Sequence, residues 1–183
     1  MNLSASNKMY FIAIVCPPGP DNKILQYKNW MREHFGSVVA LRSPSHITLI
    51  PPFWLEENKE NNLKQAFQDI KIDLPELEIS LDGFSHFGKK RLFARLQNNP
   101  SLEELKKNLE NHFIAYFGDV IKKDVRPFHP HITIASRDLK PCDFEKAWQH
   151  FLNKTVKEKF LSQTISLLKL LDGKWHIIDQ KIW

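Results

Sequence analysis

Cysteine is scarce in this chain of 183 residues, with only Cys16 and Cys142 present. Two so far apart are too few for a disulfide framework or a zinc knuckle, and both read as reduced, ordinary side chains. Glycine is thin as well, six in all. None falls in a Gly-x-Gly-x-x-Gly or GxxxxGK[ST] arrangement, so nucleotide-driven chemistry of those kinds is unsupported. The GxSxG elbow of common serine hydrolases is missing too. No apolar run reaches the length of a bilayer span. The opening "MNLSASNKMYFIAIVCPPGP" carries one short apolar patch, with a single Lys8 before it and "PPGP" after. That reads as a first strand entering a turn, not as a signal peptide. The expected location is the cytoplasm, with no membrane partner.

What is abundant is apolar mass. Hydrophobic residues make up 42% of the chain, including 13 Phe and 5 Trp, which is ample for a packed core and opposite to a disordered composition. The length suits a single globular domain over 1–183, or two small lobes sharing one interface. A net charge of +5 fits an anionic ligand such as a phosphate ester or an RNA end, although many plain proteins are as basic.

Strand and helix patterns alternate along the chain without a long linker. "KMYFIAIV" is nearly continuously apolar, as in a buried strand. Asp21 can cap a helix to about Phe35, with Ile24, Tyr27, Met31 and Phe35 on one side and Gly36 as its stop. A short β-branched segment then closes at Pro51-Pro52. Leu63, Ala66, Phe67 and Ile70 mark a second amphipathic helix. "LEISLDGF" and "RLFARLQ" alternate at period two, as in a hairpin. Ser101 with Glu104 reads as a capping box, opening a helix with Leu102, Leu105, Leu109, Phe113 and Tyr116 inward and ending near Gly118. Pro141 starts another, with Phe144, Ala147, Trp148 and Phe151 on one face. "FLSQTISLLKLL" and "KWHIIDQKIW" meet at Asp172-Gly173, a hairpin turn. The whole is a loose duplication of α+β class: two pseudo-symmetric antiparallel sheets flanked by helices.

Two segments echo each other, "SPSHITLIPPF" from Ser43 and "RPFHPHITIAS" from Arg126. With eight His and four Thr, chance supplies only about 0.2 His-x-Thr triplets, so two sharing His-Ile-Thr, a branched apolar residue and an upstream proline need a reason. In a strand, His46 and Thr48 share one face while Ile47 and Leu49 take the other. His131 and Thr133 do likewise, backed by Ile132 and Ile134, with small Ala135 following on the His/Thr face. Side by side, such strands offer two imidazoles and two hydroxyls to one cleft. Displacement at phosphorus needs a base for the entering nucleophile and an acid for the leaving oxygen, and histidine serves as either near neutral pH. The hydroxyls can donate to non-bridging oxygens where charge builds. No cofactor or metal is required.

The two motifs and the β/α order resemble the 2H phosphoesterase superfamily, which includes bacterial 2′-5′ RNA ligase-like proteins. The resemblance implies a bilobal α+β fold with one His-x-Thr strand per lobe about a central cleft. It implies metal-free chemistry on 2′,3′-cyclic phosphates of nucleotides or RNA ends, or on 2′-5′ linkages. It makes His46 and His131 the acid/base pair and Thr48 and Thr133 the substrate-binding hydroxyls. A monomer is the expectation, although the sequence leaves the oligomeric state open. Ligase-type relatives carry an arginine three residues after the second threonine. Here that position is Ser136, and alternation would turn the following Arg137 to the other face. The rival reading is a non-catalytic RNA- or nucleotide-binding module using the same cleft.

Other features have plainer readings. His129 and His131 form a His-x-His pair without a nearby third ligand, so His129 is expected at the rim or in solvent rather than on a metal. His112 reads as a half-buried structural histidine. In "GKKRLFARL", Arg91 and Arg95 share a strand face with Phe93 and could grip phosphates or a base, yet a solvated lysine-rich turn is the more ordinary account. Phe53 and Trp54 could stack on a base, but aromatic residues at a strand end more commonly belong to the core.

Overall fold

A computed structural model describes residues 6–123 and 125–183. Eight strands and four α-helices follow one another as β1 (Asn7–Val15), α1 (Pro18–Phe35), β2 (His46–Glu56), α2 (Glu60–Asp69), β3 (Leu77–Phe87), β4 (Arg91–Leu96), α3 (Pro100–Phe117), β5 (His131–Ala135), α4 (Pro141–Leu152), β6 (Lys159–Ser162), β7 (Thr164–Leu171) and β8 (Lys174–Ile182). The α+β class holds. In place of two sheets there is one, antiparallel throughout, in the order β6-β3-β4-β5-β2-β1-β7-β8. The merger has a single cause: β2 and β5 pair in the middle, at Ile47↔Ile132. The remaining strands flank that pair, three on each side, and both His-x-Thr segments are at the centre.

The sheet must also curl. β6 stands at one end of the order and β7 next to the other end, yet only Gln163 separates them. One residue spans only a few ångströms of chain, so the two flanks approach each other there. The run read as one strand, "FLSQTISLLKLL", thus serves both flanks, pairing first with β3 and then with β1. Asp172 and Gly173 both take positive φ, 48° and 76°, as a two-residue hairpin between β7 and β8 demands.

One sheet face carries the main core. Tyr10, Ile12 and Ile14 of β1, Ile47 and Leu49 of β2, and Ile132 and Ile134 of β5 join Ile24, Phe67, Leu105, Phe113 and Phe151 from the helices. Helices cross the midline: α1 packs on β5 and α3 on β2, bracing the centre from both sides. The opposite face carries a smaller cluster of Phe11, Ala13 and Leu168, with Val15 and Trp175 against it.

Several local expectations shift for identifiable reasons. β2 runs on through Pro51 and Pro52 to Glu56. Both prolines are exposed and sit where the β1–β2 register slips between Tyr10 and Ile12, so no ladder donor is lost. Asn99, not Ser101, caps α3: its side chain accepts from the Leu102 N–H, and Pro100 follows at the first helical turn. Tyr116, expected inward, is exposed. Asp21 lies inside the first turn of α1 rather than at its cap, and its carboxylate is used elsewhere. Ala135 is wholly buried in the core cluster because the β4–β5 register slips between Leu92 and Phe93.

Candidate active site

The pair Ile47↔Ile132 fixes the geometry of the centre. Continuing that antiparallel register by one residue each way sets His46 opposite Thr133 and Thr48 opposite His131. The histidines then occupy one diagonal of a four-residue rectangle and the threonines the other. Diagonal neighbours on an antiparallel pair lie about 7–8 Å apart, which leaves room for a tetrahedral phosphorus between them. All four side chains are half-buried, and the isoleucines between them are fully buried on the far face.

The two histidines are held alike. His46 Nδ1 meets the Pro44 carbonyl at 2.8 Å, and His131 Nδ1 meets the His129 carbonyl at 2.7 Å. A carbonyl only accepts, so each Nδ1 carries the proton and each Nε2 is left with its lone pair. Each ring also leans on a phenylalanine from the adjacent strand. Phe11 lies 4.8 Å from His46 and Phe93 lies 4.8 Å from His131. Behind these stand a second ring apiece, Trp175 at 4.6 Å from Phe11 and Phe87 at 4.4 Å from Phe93. Among the described residues neither Thr48 nor Thr133 spends its hydroxyl on a hydrogen bond, so both are available to a ligand.

Electrostatics push both rings toward the neutral form. Burial lowers the His46 pKa to about 4, with Lys28 and His131 adding to the fall and the Pro44 carbonyl opposing it. His131 is lowered by burial too, with Arg91 and His129 pushing the same way. The Arg91 guanidinium is itself held below its ordinary value by burial and by Arg137 and Arg126. Positive charge therefore collects on the His131 side. β5 stops at Ala135, so strand alternation no longer decides where Arg137 points, and Arg137 adds to the positive charge around Arg91.

Behind His46, α1 grips the approach to β2 twice. The Ser45 N–H donates to Asp21 Oδ1 at 2.9 Å, and the buried Lys28 Nζ donates to the Ser43 carbonyl at 3.3 Å. The Pro44 carbonyl that orients His46 lies between these two points.

Recesses open on both flanks. One of about 450 Å³ borders the His46 side through Val15 and is polar, with Gln180 Nε2 donating to Ser166 Oγ at 3.1 Å. The other, of about 320 Å³, borders the His131 side. Among the described residues no three His, Cys, Asp or Glu side chains cluster as a metal site would need. His129 is exposed and contributes its carbonyl. His112 is half-buried and bonded through Nε2 to the Ala66 carbonyl at 2.8 Å, the structural part expected of it. Phe53 is core, whereas Trp54 stays 55% exposed. Among the described residues no helix is long and apolar enough to cross a membrane.

An antiparallel sheet with two His-x-Thr strands paired at its centre defines a class of two-histidine site. The sequence profile of the 2′-5′ RNA ligase superfamily matches residues 17–174, and the chain belongs to that superfamily, whose members are 2H phosphoesterases. It is 26% identical over 163 residues to "Putative phosphoesterase GK0864" of Geobacillus kaustophilus (strain HTA426), covering 87% of this chain and 90% of that one. Its fold is similar to that of TT0787 from Thermus thermophilus, with TM-score 0.67 and 16% identity over 95% of this chain and 97% of that one. E. coli LigT, crystallised with 3′-AMP, gives TM-score 0.63 at 19% identity over 97% and 98% of the two chains.

Sequence reasoning found the four side chains of the rectangle but not what orients them. The carbonyls of Pro44 and His129 leave no trace in residue type. Phe11 is hidden in a continuously apolar strand, where nothing says which face is which. Phe93 was visible beside Arg91 and Arg95, but the neighbouring strand that gives it a role was not.

Proposed function

We propose that this protein is a metal-independent phosphoesterase acting on 2′,3′-cyclic phosphates of nucleotides or RNA ends, or on 2′-5′ linkages, through His46 and His131. One Nε2 takes a proton from water as its oxygen attacks phosphorus. The other Nε2, protonated, gives its proton to the ribose oxygen as the P–O ester bond breaks. Base and acid on opposite corners of the rectangle suit in-line displacement. Thr48 and Thr133 donate to the non-bridging oxygens, where negative charge grows. With a ribose hydroxyl in place of water, the same steps run as 2′-5′ ligation.

The observation that carries this reading is the matched tethering of the two imidazoles, each with Nδ1 on a backbone carbonyl and Nε2 unspent. A histidine used only for packing has no need of a fixed tautomer facing a second one. The nucleotide complexes of LigT, with 3′-AMP, ATP and NADP+, support a nucleotide as the ligand class. The test is hydrolysis of 2′,3′-cyclic nucleotides and cyclic-ended RNA in EDTA, with the His46→Ala/His131→Ala double variant as the blank. Turnover by the wild type alone is expected. Turnover that persists in the double variant defeats the two-histidine mechanism, and turnover that EDTA abolishes defeats its metal independence. Binding of these ligands with no turnover of any would make the protein a nucleotide-binding module.

A further inference from the structure

The two histidines are tethered alike at Nδ1, but the peptide groups that tether them differ. The carbonyl facing His46 belongs to the Pro44–Ser45 peptide, and the N–H of that same peptide is the one that donates to Asp21 Oδ1 at 2.9 Å. A peptide unit is planar, and among the described residues none is cis, so its N–H and C=O point in opposite directions. A single amide therefore stands between a carboxylate and an imidazole and is bonded to both. The carbonyl facing His131 belongs to the His129–Pro130 peptide, whose nitrogen is proline's and has no hydrogen to donate. No carboxylate can be linked to His131 in this way.

The amide beside His46 is held from both sides. In the peptide before it, the Ser43 carbonyl accepts from the buried Lys28 Nζ at 3.3 Å. In the peptide after it, the Ser45 carbonyl accepts from the Cys16 N–H at 2.8 Å. Three consecutive peptides are thus tied to α1 or to the turn that leads into it. Asp21 sits in the first turn of α1, its own N–H on the Pro17 carbonyl at 3.0 Å, so the helix sets where the carboxylate stands. Ser45 is wholly buried, and its N–H needs an acceptor there. Any oxygen would meet that need, but a carboxylate does more. A charged acceptor makes the stronger bond and polarises the amide, so that its carbonyl oxygen becomes a better acceptor in turn. Both effects favour a proton on His46 Nδ1 and positive charge on the ring.

We infer that Asp21 is a positioning residue for His46, acting through the Pro44–Ser45 peptide to hold the ring in its Nδ1–H tautomer and to support its protonated form. No proton leaves the ring for Asp21; the carboxylate works through the polarity of the amide. His131 has no counterpart, so the two histidines are inequivalent although their motifs match. Around His46, Lys28 of α1 and His131 of β5 both disfavour its protonation, and Phe11 of β1 offers an apolar ring. Cys16, near Asp21 and Lys28, stays a neutral thiol, pushed up to about 12 by burial. Asp21 acts in the opposite sense to Lys28 and His131. Its effect on the ring is independent of what the site does, whereas its bearing on turnover rests on the phosphoesterase reading.

The experiment is a pH titration of the histidine ring nitrogens by NMR in the full chain, for wild type, Asp21→Asn and Asp21→Ala. His46→Ala and His131→Ala assign the signals, and kcat and KM for a 2′,3′-cyclic nucleotide are measured in parallel. Asparagine keeps an oxygen for the Ser45 N–H but no charge, and alanine keeps neither. Asp21→Asn should leave His46 in its Nδ1–H form and lower its pKa. Asp21→Ala should lower it as well and admit the Nε2–H tautomer, while His131 titrates as in the wild type in both. A charged acceptor exceeds a neutral one by enough for about a fivefold effect, so kcat should fall by that factor in Asp21→Asn and further in Asp21→Ala, with KM little changed. Unmoved His46 signals in both variants overturn the inference. Equal effects of the two variants also overturn it, since the charge would then act through space, and so does an equal shift at His131, which would mean general loosening. If Asp21→Ala does not fold, Asp21→Asn decides alone. A lowered His46 together with an upfield move of the Ser45 amide proton sustains the inference, and a lowered His46 with that proton unmoved overturns it. If the wild type turns over no substrate, the phosphoesterase reading falls, and the ring titration decides the role of Asp21 by itself.

Discussion

At the scale of single residues, the candidate site pairs two rings that are both reluctant to be charged. The proposed reaction needs one imidazole neutral and one protonated. Above both pKa values no proton is available for the leaving oxygen, and below both no base remains. Since His46 is lowered to about 4 and His131 also lies below its ordinary 6.5, kcat/KM should follow a bell whose two limbs both fall below pH 6.5. A bound phosphodiester anion favours protonation, so the kcat profile should lie at higher pH than the kcat/KM profile. Lys28 provides a sharper check. Its ammonium is lowered to about 8 by burial, so it is still charged across this range and repels a proton on His46. Lys28→Met removes that charge, raises the His46 pKa and should move the ascending limb to higher pH while the descending limb stays. A pH–rate series on both proteins measures this, and an unmoved ascending limb would sink the electrostatic link. The residue types in His46-Ile47-Thr48 and His131-Ile132-Thr133 made the four candidate side chains legible. Lys28, on a helix well upstream in sequence, had only an amphipathic pattern to announce it, and that pattern places a lysine outside.

At the scale of elements, boundaries were set by competition between local signals that a sequence shows side by side. Ser101, the cap expected from the sequence, lies inside α3, and Asn99, which does cap it, has Pro100 directly after it, where a missing N–H costs nothing. Asn99 also donates through Nδ2 to the Glu78 carbonyl at 2.9 Å, tying the helix start to β3. Asn99→Ala should destabilise the protein by about 1 kcal/mol, within a range of roughly 0.5–2, whereas Ser101→Ala should change little. Urea midpoints at unchanged m would report both, and the reverse ranking would return the cap to Ser101. The helices and the β3–β4 and β7–β8 hairpins were readable because period and turn chemistry agree there. The length of β2 was not, because two prolines are a strand stop unless the strand that carries them bulges there and leaves them unpaired. Nor was the division of Lys159–Leu171 into β6 and β7, since changing partners midway alters neither the period nor the composition.

At the scale of the whole molecule, the centre is braced by contacts that join distant parts of the chain. The merging of two half-sheets rests on the single pair Ile47↔Ile132 and on helices that cross the midline, neither of which the internal repeat announces. A polar network on the helix-covered side does similar work. Lys169 of β7, 8% exposed, donates to Glu60 at 2.5 Å and to Glu57 at 3.0 Å, while the Tyr10 hydroxyl donates to Glu60 at 2.8 Å. Burial alone would raise the Glu60 carboxyl, but hydrogen bonds from Lys169, Lys64 and Tyr10 pull it down to about 2 from the ordinary 4.5. Burial and the bond to Glu60 raise Tyr10 to about 12, and the two carboxylates raise Lys169 against its burial. The signs follow by linkage. A depressed carboxyl contributes stability that is complete above its unfolded value and lost as pH falls through the folded one. The raised phenol and ammonium contribute stability that is complete below their unfolded values near 10 and lost as pH climbs past them. Glu60 should therefore be worth on the order of 3 kcal/mol at pH 7. Glu60→Gln leaves Lys169 with only the half-exposed Glu57 and should cost about that much in urea unfolding at pH 7. The two proteins should nearly converge by pH 2, where the wild-type carboxyl is about half protonated and most of its linkage stability is gone. A variant as stable as the wild type at pH 7, or a gap that persists undiminished at pH 2, would mean that packing around Tyr10, and not this charge network, holds α2 to the sheet.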